Sequence, residues 1–459
     1  MITKDISSYS ELFTKYTELR VQENRSLRIA MIDGNIVQNS KASISGVSAR
    51  VYNDGSWGFA SNPNITDDAV KRVVTKATDN AHFLKSREKR DLKGLPEISA
   101  KAVKDYSTTK KRKDQRELIS FVKEIDNYIA KGYSKLSSRT VVLNCLDMEK
   151  SLVTSDMSSL YSMIPRSFIY ILLTVQSDGE PIELFDVYGG FGQFEDNFTS
   201  PDGLFEKIDA QYEHLLKKVG GIYPRAGINE CILDANLAGI LSHEAIGHTT
   251  EADIVMGGSV ASDYLNKEVA SPLITLVDFA NTALGALCPV PIYVDDEGTA
   301  ADNAVIIQDG ILKSFMHNKE SANHFNAALT GNARAYQFSD EPIIRMRNTA
   351  ILPGDNKLED MISSIEDGYY LMKAGNGQAD STSEFMFGIV LGYEIKKGKV
   401  GRAIRNTTIS GIAFDVLKTV NMISDDMTWE CGGMCGKKQS IPVGMGGPAI
   451  KCRLNIGGK

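Results

Sequence analysis

The chain has 459 residues, with 42% hydrophobic and 24% charged side chains and a formal net charge of −7. That length exceeds one core of ordinary size and predicts two or more domains, while the acidic balance argues against nucleic acid as a direct partner, because phosphate neutralisation needs a basic face. No apolar run approaches the roughly 18 residues of a membrane span, and the opening MITKDISSYSELFTKY has no apolar core of a signal peptide, so a cytoplasmic protein without membrane contact is expected.

After a short helix, the chain begins with hairpin patterns. Asp33-Gly34 and Asn53-Asp54-Gly55 are turns between stretches of strand type. A helix is predicted from Thr66, a candidate N-cap, with Val70, Val73, Val74, Ala77 and Ala81 on one apolar stripe. A second is predicted over QRELISFVKEIDNYIAKG, with Leu118, Phe121, Val122, Ile125 and Ile129 facing the core. TVVLNCL and FIYILLTV read as strands, and GLFEKIDAQYEHLLKKVGG as a third helix that stops at Gly220-Gly221. Pro224 prevents its resumption, which places a domain boundary between residues 221 and 222. Beyond it come the strand INECILD and one more helix. From about residue 270 the chain is mostly short strands and turns, such as DDEGTAADN, IQDGILKS, LPGDNK, KKGKVG and IGGK. The expected fold is α+β: an α+β domain over 1–221, then a β-rich domain over 222–459 with a closed or folded-over sheet. Two basic runs, 84–93 and 110–116, read as solvated helix ends and a loop.

The helix after INECILD carries LSHEAIGHTTEAD, residues 241–253. In the H-E-x-x-H motif of zinc proteases the two histidines are four apart, and four residues turn a helix by about 400°, so the side chains nearly overlie. His243 and His248 are five apart, which leaves them roughly 140° apart on an ideal helix. An undistorted α-helix therefore does not bring both rings to one metal. Either a π-bulge inserts one residue into the turn, or the helix ends near Gly247 and His248 reaches back. Gly247 eases such a distortion. Glu244 follows the first histidine, where zinc proteases place the group that takes a proton from water. A catalytic zinc site needs a third protein ligand and an open position. Glu251 and Asp253 are candidates for that ligand, or for orienting the imidazoles. His82 and His214 fall on amphipathic helices, and His317 and His324 have no acidic neighbour that makes them a pair.

The six cysteines are thinly spread, so a disulfide framework is not expected and most read as small buried hydrophobes. Cys435 differs, lying in the glycine-rich WECGGMCGKKQS, four residues after Cys431.

LSHEAIGHTTEAD resembles the signature of the TldD/PmbA family, peptidases historically called modulators of DNA gyrase. VSARVYNDGSWGFAS, IYVDDEGTAADNAVIIQDGILKSFMHNKESA, TGNARAY, IIRMRNTAILPGD and TWECGGMCGKKQSIPVGMGGP resemble further blocks of that family, in the same order; residues 95–220 match loosely. The resemblance implies a metallopeptidase of the TldD type, with one zinc held by His243, His248 and Cys435 and with Glu244 as base. It implies a barrel-like C-terminal domain and cleavage of unfolded peptides. It also implies a dimer, either of identical chains or with a PmbA-type (TldE) subunit that lacks the metal motif. Arg334, Tyr336 and Arg345 are candidates for steadying the oxyanion. Two other readings stand beside this one: a non-catalytic modulator subunit of a gyrase-related complex, and a structural metal closed by Cys431 or Glu251 as fourth ligand.

Overall fold

A computed structural model describes residues 2, 5–87, 94–430 and 432–457. Cys431, most of the 84–93 basic run and the end of the IGGK turn lie outside the described residues. The N-terminal part is one large sheet built from β1 (Tyr16–Ile32), β2 (Asn35–Asn53), β3 (Ser56–Asn62), β4 (Lys101–Asp105), β5 (Ser138–Thr154), β6 (Ser159–Ser177) and β7 (Glu180–Phe191). Their order is β3-β2-β1-β5-β6-β4, with β7 also on β6. Both expected turns form: Asp33-Gly34 and Asp54-Gly55 have positive φ, as tight hairpin turns require.

The two faces of this sheet differ in chemistry, because side chains alternate along a strand. Leu19, Val21, Val47, Ala49 and Val51 pack under helix α1 (Asp67–Lys85), through its predicted stripe from Val70 to Ala81. Thr66 caps α1, its Oγ1 accepting from Ala69 N. Ile29, Met31, Val141, Leu143, Ile169 and Ile171 pack under α2 (Gln115–Gly132) and the helix Phe205–Val219. The opposite face presents Glu18, Arg20, Gln22 and Asn24, which are buried all the same. They lie against the C-terminal half: Gln22 Nε2 and Asn24 Nδ2 each donate to Tyr336 O at 2.7 Å. TVVLNCL and FIYILLTV are thus parts of longer strands, and β4 and β7 were not anticipated.

The C-terminal half contains a closed five-stranded barrel. β8 (Gly227–Leu233) pairs with Ile450–Ile456, which pairs with Thr407–Ile412, then Glu384–Lys396, then Asp367–Ala379, which returns to β8 in parallel. A six-stranded sheet lies beside it, in the order 311–312, 304–308, 276–279, 348–351, 444–447, 428–430. Cys231, Leu233, Leu371, Phe387, Ile389 and Leu454 share one core with Leu237, Leu241 and Ala245 of the helix that follows β8. Cys231, Cys288, Cys435 and Cys452 are buried and Cys145 is half-buried, all as free thiols. No helix among the described residues is long and apolar enough to cross a membrane.

Candidate metal centre

The site begins at the end of β8. Asp234 caps the next helix, its Oδ1 accepting from Leu237 N at 2.8 Å. The helix is α-helical over Ala235–Leu241, becomes a π-helix over Ser242–Gly247, and closes in a 3₁₀ turn over His248–Thr250. His248 N donates to His243 O, the i→i+5 bond that defines a π-turn. Of the two distortions left open by the spacing, this is the bulge. It brings the rings of His243 and His248 to 5.3 Å between centroids. Thr249 and Thr250 hydroxyls bond back to the carbonyls of Ala245, Ile246 and Gly247, serving acceptors that the widened turn loosens.

Gly247 has a role other than the one expected. Its φ of −55° and ψ of −54° suit any residue, so it does not relieve backbone strain. A Cβ there would lie 2.0 Å from Met346 Sδ, so the glycine permits close approach. Gly239, two turns earlier, meets Gly446 in the same way, with a Cβ placed 2.8 Å from Gly446 N. Together the two glycines seat the helix against the neighbouring strands.

Cys435 arrives on a hairpin of two strands, Met434–Lys437 and Gln439–Pro442. Buried Arg345 holds that hairpin, donating to Cys435 O at 2.6 Å, Gln439 O at 2.7 Å and Lys437 O at 3.1 Å. One ligand atom from each of His243, His248 and Cys435 lies within 4.8 Å of the others. Cys435 Sγ is 3.4 Å from His248 Nε2. His243 is fully buried, and neither ring nitrogen has a hydrogen-bond partner among the described residues. Burial pushes the Cys435 thiol up, but the neighbouring His243 and His248 outweigh it and bring it to about 4. Burial alone would lower His248, but its bonds to Cys435 and Glu251 raise it to about 10. Glu244 is the most exposed of the group, with 31% of its side chain exposed against 22% for His248, and its Oε2 is 3.8 Å from His248 Nε2.

The other candidates are placed as follows. Glu251 Oε2 accepts from His248 Nδ1 at 2.8 Å, so it stands behind the ring and not in front of it. Asp253 pairs with Lys437 at 2.7 Å. Arg334 donates to the carbonyls of Met346 and Pro442, and Arg345 to the Cys435 hairpin, so both guanidinium groups anchor backbone. Tyr336 packs against the barrel core. His82, His214 and His317 bond Asn53, Tyr393 and Ser321, away from the cluster. Lys437 and the anchoring role of Arg345 escape the sequence reading; the alternation of Cys435 and Lys437 on one strand was the available signal. A cavity of about 260 Å³ is lined by Tyr170, Val187, Asn236, Ile240, Glu430 and Gly433. Asn236 and Ile240 precede Glu244 by two turns and one turn of the same helix, and Gly433 precedes Cys435 by two residues, so the cavity is lined by the segments that lead into the cluster.

Comparison with known proteins gives concordant results. The family model for the PmbA/TldA metallopeptidase C-terminal domain matches residues 227–458, and that for PmbA/TldA metallopeptidase domain 1 matches residues 17–81. A metalloprotease of Methanocaldococcus jannaschii is 30% identical over 446 residues, covering 95% of each chain. A protein of Saccharolobus solfataricus named zinc metalloprotease TldD homolog is 27% identical, covering 99% of each. The crystal structure of TldE from Thermococcus kodakarensis superposes with a TM-score of 0.77 at 18% identity, over 98% of both chains, which establishes likeness of fold.

Proposed function

The chain belongs to the PmbA/TldA metallopeptidase family, and from that premise we propose that it is a zinc metalloprotease of the TldD type that hydrolyses unfolded peptides. The observation that carries the reading is the His243 ring, fully buried, with neither nitrogen hydrogen-bonded among the described residues, beside a thiol and a second imidazole. Leaving such a group unsatisfied costs about 1–3 kcal/mol, a cost that ligation removes. Two imidazoles and a thiolate are a donor set that zinc accepts. Three protein ligands leave one position open, as catalytic sites do and structural sites do not.

When bound, zinc supplies Lewis acidity, polarising the scissile carbonyl and making water easier to deprotonate. The chain's own residues do the rest. Glu251 accepts from His248 Nδ1–H, so the Nε2 lone pair is directed at the cluster. Glu244 is the carboxylate within reach of solvent; it takes the proton from the attacking water and returns it to the leaving amine. The cavity lined by the segments leading into the cluster receives the peptide. Phe185 to Val187 of β7 and Tyr170 of β6 line it, and β7 pairs only with β6 among the described strands, which leaves an edge for a substrate added as a strand. The same reading takes 1–221 and 222–459 as two domains. It takes a second subunit, an identical chain or a TldE-type partner, as completing the enclosure, and a cytoplasmic location.

The test combines metal analysis with hydrolysis of an unfolded protein substrate. Wild type carries one zinc per chain; His243→Ala and Cys435→Ser lose it. Glu244→Ala keeps its zinc and loses about 10²–10⁴-fold in rate. Full activity in a zinc-loaded Glu244→Ala variant would remove Glu244 as the base, and a wild type that takes up no zinc would remove the reading altogether.

A further inference from the structure

Behind the ligand set, the carboxylate that orients His248 meets a lysine that the catalytic reading does not use. Glu251 is fully buried, and its Oε2 faces both His248 Nδ1 at 2.8 Å and Lys437 Nζ at 3.4 Å. Its other oxygen, Oε1, has no hydrogen-bond partner among the described residues. Lys437 also donates to Asp253 at 2.7 Å and to Ile344 O at 3.1 Å. Lys437 and Cys435 are two residues apart on one strand of the hairpin, so their side chains leave the same face. One face of the hairpin therefore delivers a thiol to the front of His248 and an ammonium to the carboxylate behind it.

We infer that Glu251 and Lys437 form a positioning pair that makes one ligand set from two separate elements, the π-helix and the hairpin. The inference rests on the reading of His248 and Cys435 as metal ligands. A neutral imidazole has one N–H and one lone pair, and a carboxylate only accepts. Glu251 therefore fixes the proton on Nδ1 and the lone pair on Nε2, and sets the tilt of the ring. A buried carboxylate without a counter-charge is costly, and Lys437 supplies the charge from the Cys435 hairpin. The ionic contact that stabilises Glu251 thus also sets where the hairpin sits against the helix, across 187 residues of sequence between His248 and Cys435. Arg345 fixes the hairpin's own backbone from another side. Glu251 and Lys437 act through the ligands and touch no substrate.

The experiment uses the full-length chain loaded with cobalt(II). Affinity is read by competition with a chelator, and Cys435 ligation by the thiolate-to-cobalt charge-transfer absorption. Glu251→Met has similar volume but cannot accept a hydrogen bond; it is expected to bind cobalt about 10–100-fold more weakly. Glu251→Gln retains an amide oxygen that accepts from Nδ1–H and is expected to recover most of that loss, a rescue that a packing role would not require. Lys437→Met is expected to lower the charge-transfer absorption even at saturating cobalt. The double variant Glu251→Met/Lys437→Met is expected to lose less than the summed single losses, because the two act as a unit. Wild-type affinity and absorption in Glu251→Met overturn the inference, as do losses that add fully. A wild-type chain that binds no cobalt, or a Cys435→Ser variant that keeps the charge-transfer absorption, instead overturns the ligand assignment on which it rests.

Discussion

The acidic turn Asp295–Glu297 and the His243, His248 and Cys435 group are both buried, both polar and both assembled from distant parts of the chain. In the first, Asp296 and Glu297 meet opposite charges, while Asp295 is held by backbone donors. Asp296 binds Lys150 at 2.8 Å and faces Arg20 at 3.7 Å, Glu297 binds Arg50 at 3.0 Å, and nearby Lys319 binds Asp156 at 2.7 Å. Asp295 accepts from the backbone N–H groups of Glu297, Thr299 and Ala333. These contacts join the polar face of the N-terminal sheet to the C-terminal half. In the second group, a fully buried imidazole has neither nitrogen hydrogen-bonded among the described residues. The first cluster leaves guanidinium nitrogens unused, at Arg20 and Arg50, but pairs both charges. The second leaves a whole ring unused beside a thiol and another imidazole, which suits a bound ion.

The largest effect expected from this contrast is on the first cluster. Asp296→Ala leaves Lys150 and Arg20 buried without their shared counter-charge, and should cost about 3–5 kcal/mol in denaturant unfolding. The chain that remains folded should still bind zinc; loss of both properties together would erase the distinction between the clusters. Next, zinc at about 100 times its dissociation constant should raise stability by about 2.7 kcal/mol in wild type and in Asp296→Ala. His243→Ala should show no such gain, and an equal gain there would place the metal elsewhere. Gly247→Ala, which forces a methyl against Met346, should cost about 1–3 kcal/mol. It should also weaken zinc binding, because the displaced helix carries His248; unchanged affinity would show that the helix seat and the ligand geometry are independent. The smallest effect is expected from Thr66→Ala, about 1 kcal/mol from the lost α1 cap, with zinc affinity unaltered.

What was legible in the sequence follows the range of the forces involved. The five-residue interval between His243 and His248 demands a break in the α-helix, because rotation per residue is a local quantity, and the break is a π-turn. The stripe on α1 and the Asp-Gly turns are local in the same sense. Cys435 entered only through the resemblance, since nothing local links it to a histidine 187 residues away. DDEGTAADN does turn, with Gly298 at φ +77°. Read from the sequence only as a turn, it also supplies Asp296 and Glu297 as ion partners of β1, β2 and β5. The long N-terminal strands were underestimated for the same reason. Glu18, Arg20, Gln22 and Asn24 have the alternation of a water-facing edge, and only the C-terminal half laid over them makes that face interior.

The strand order of the barrel also governs when, along a growing chain, a proteolytic centre can exist. β8 leads directly into the ligand helix, and it is clasped between Asp367–Ala379 and Ile450–Ile456. Cys435, the third of the proposed ligands, follows His248 by 187 residues and lies just before Ile450–Ile456. A nascent or truncated polypeptide that stops before Ile450 has both histidines and lacks the closed barrel that seats them. On the proposed ligand set, hydrolytic capacity therefore waits until Ile450–Ile456 has been made and paired, and chains ending at residue 449 should take up no stoichiometric zinc.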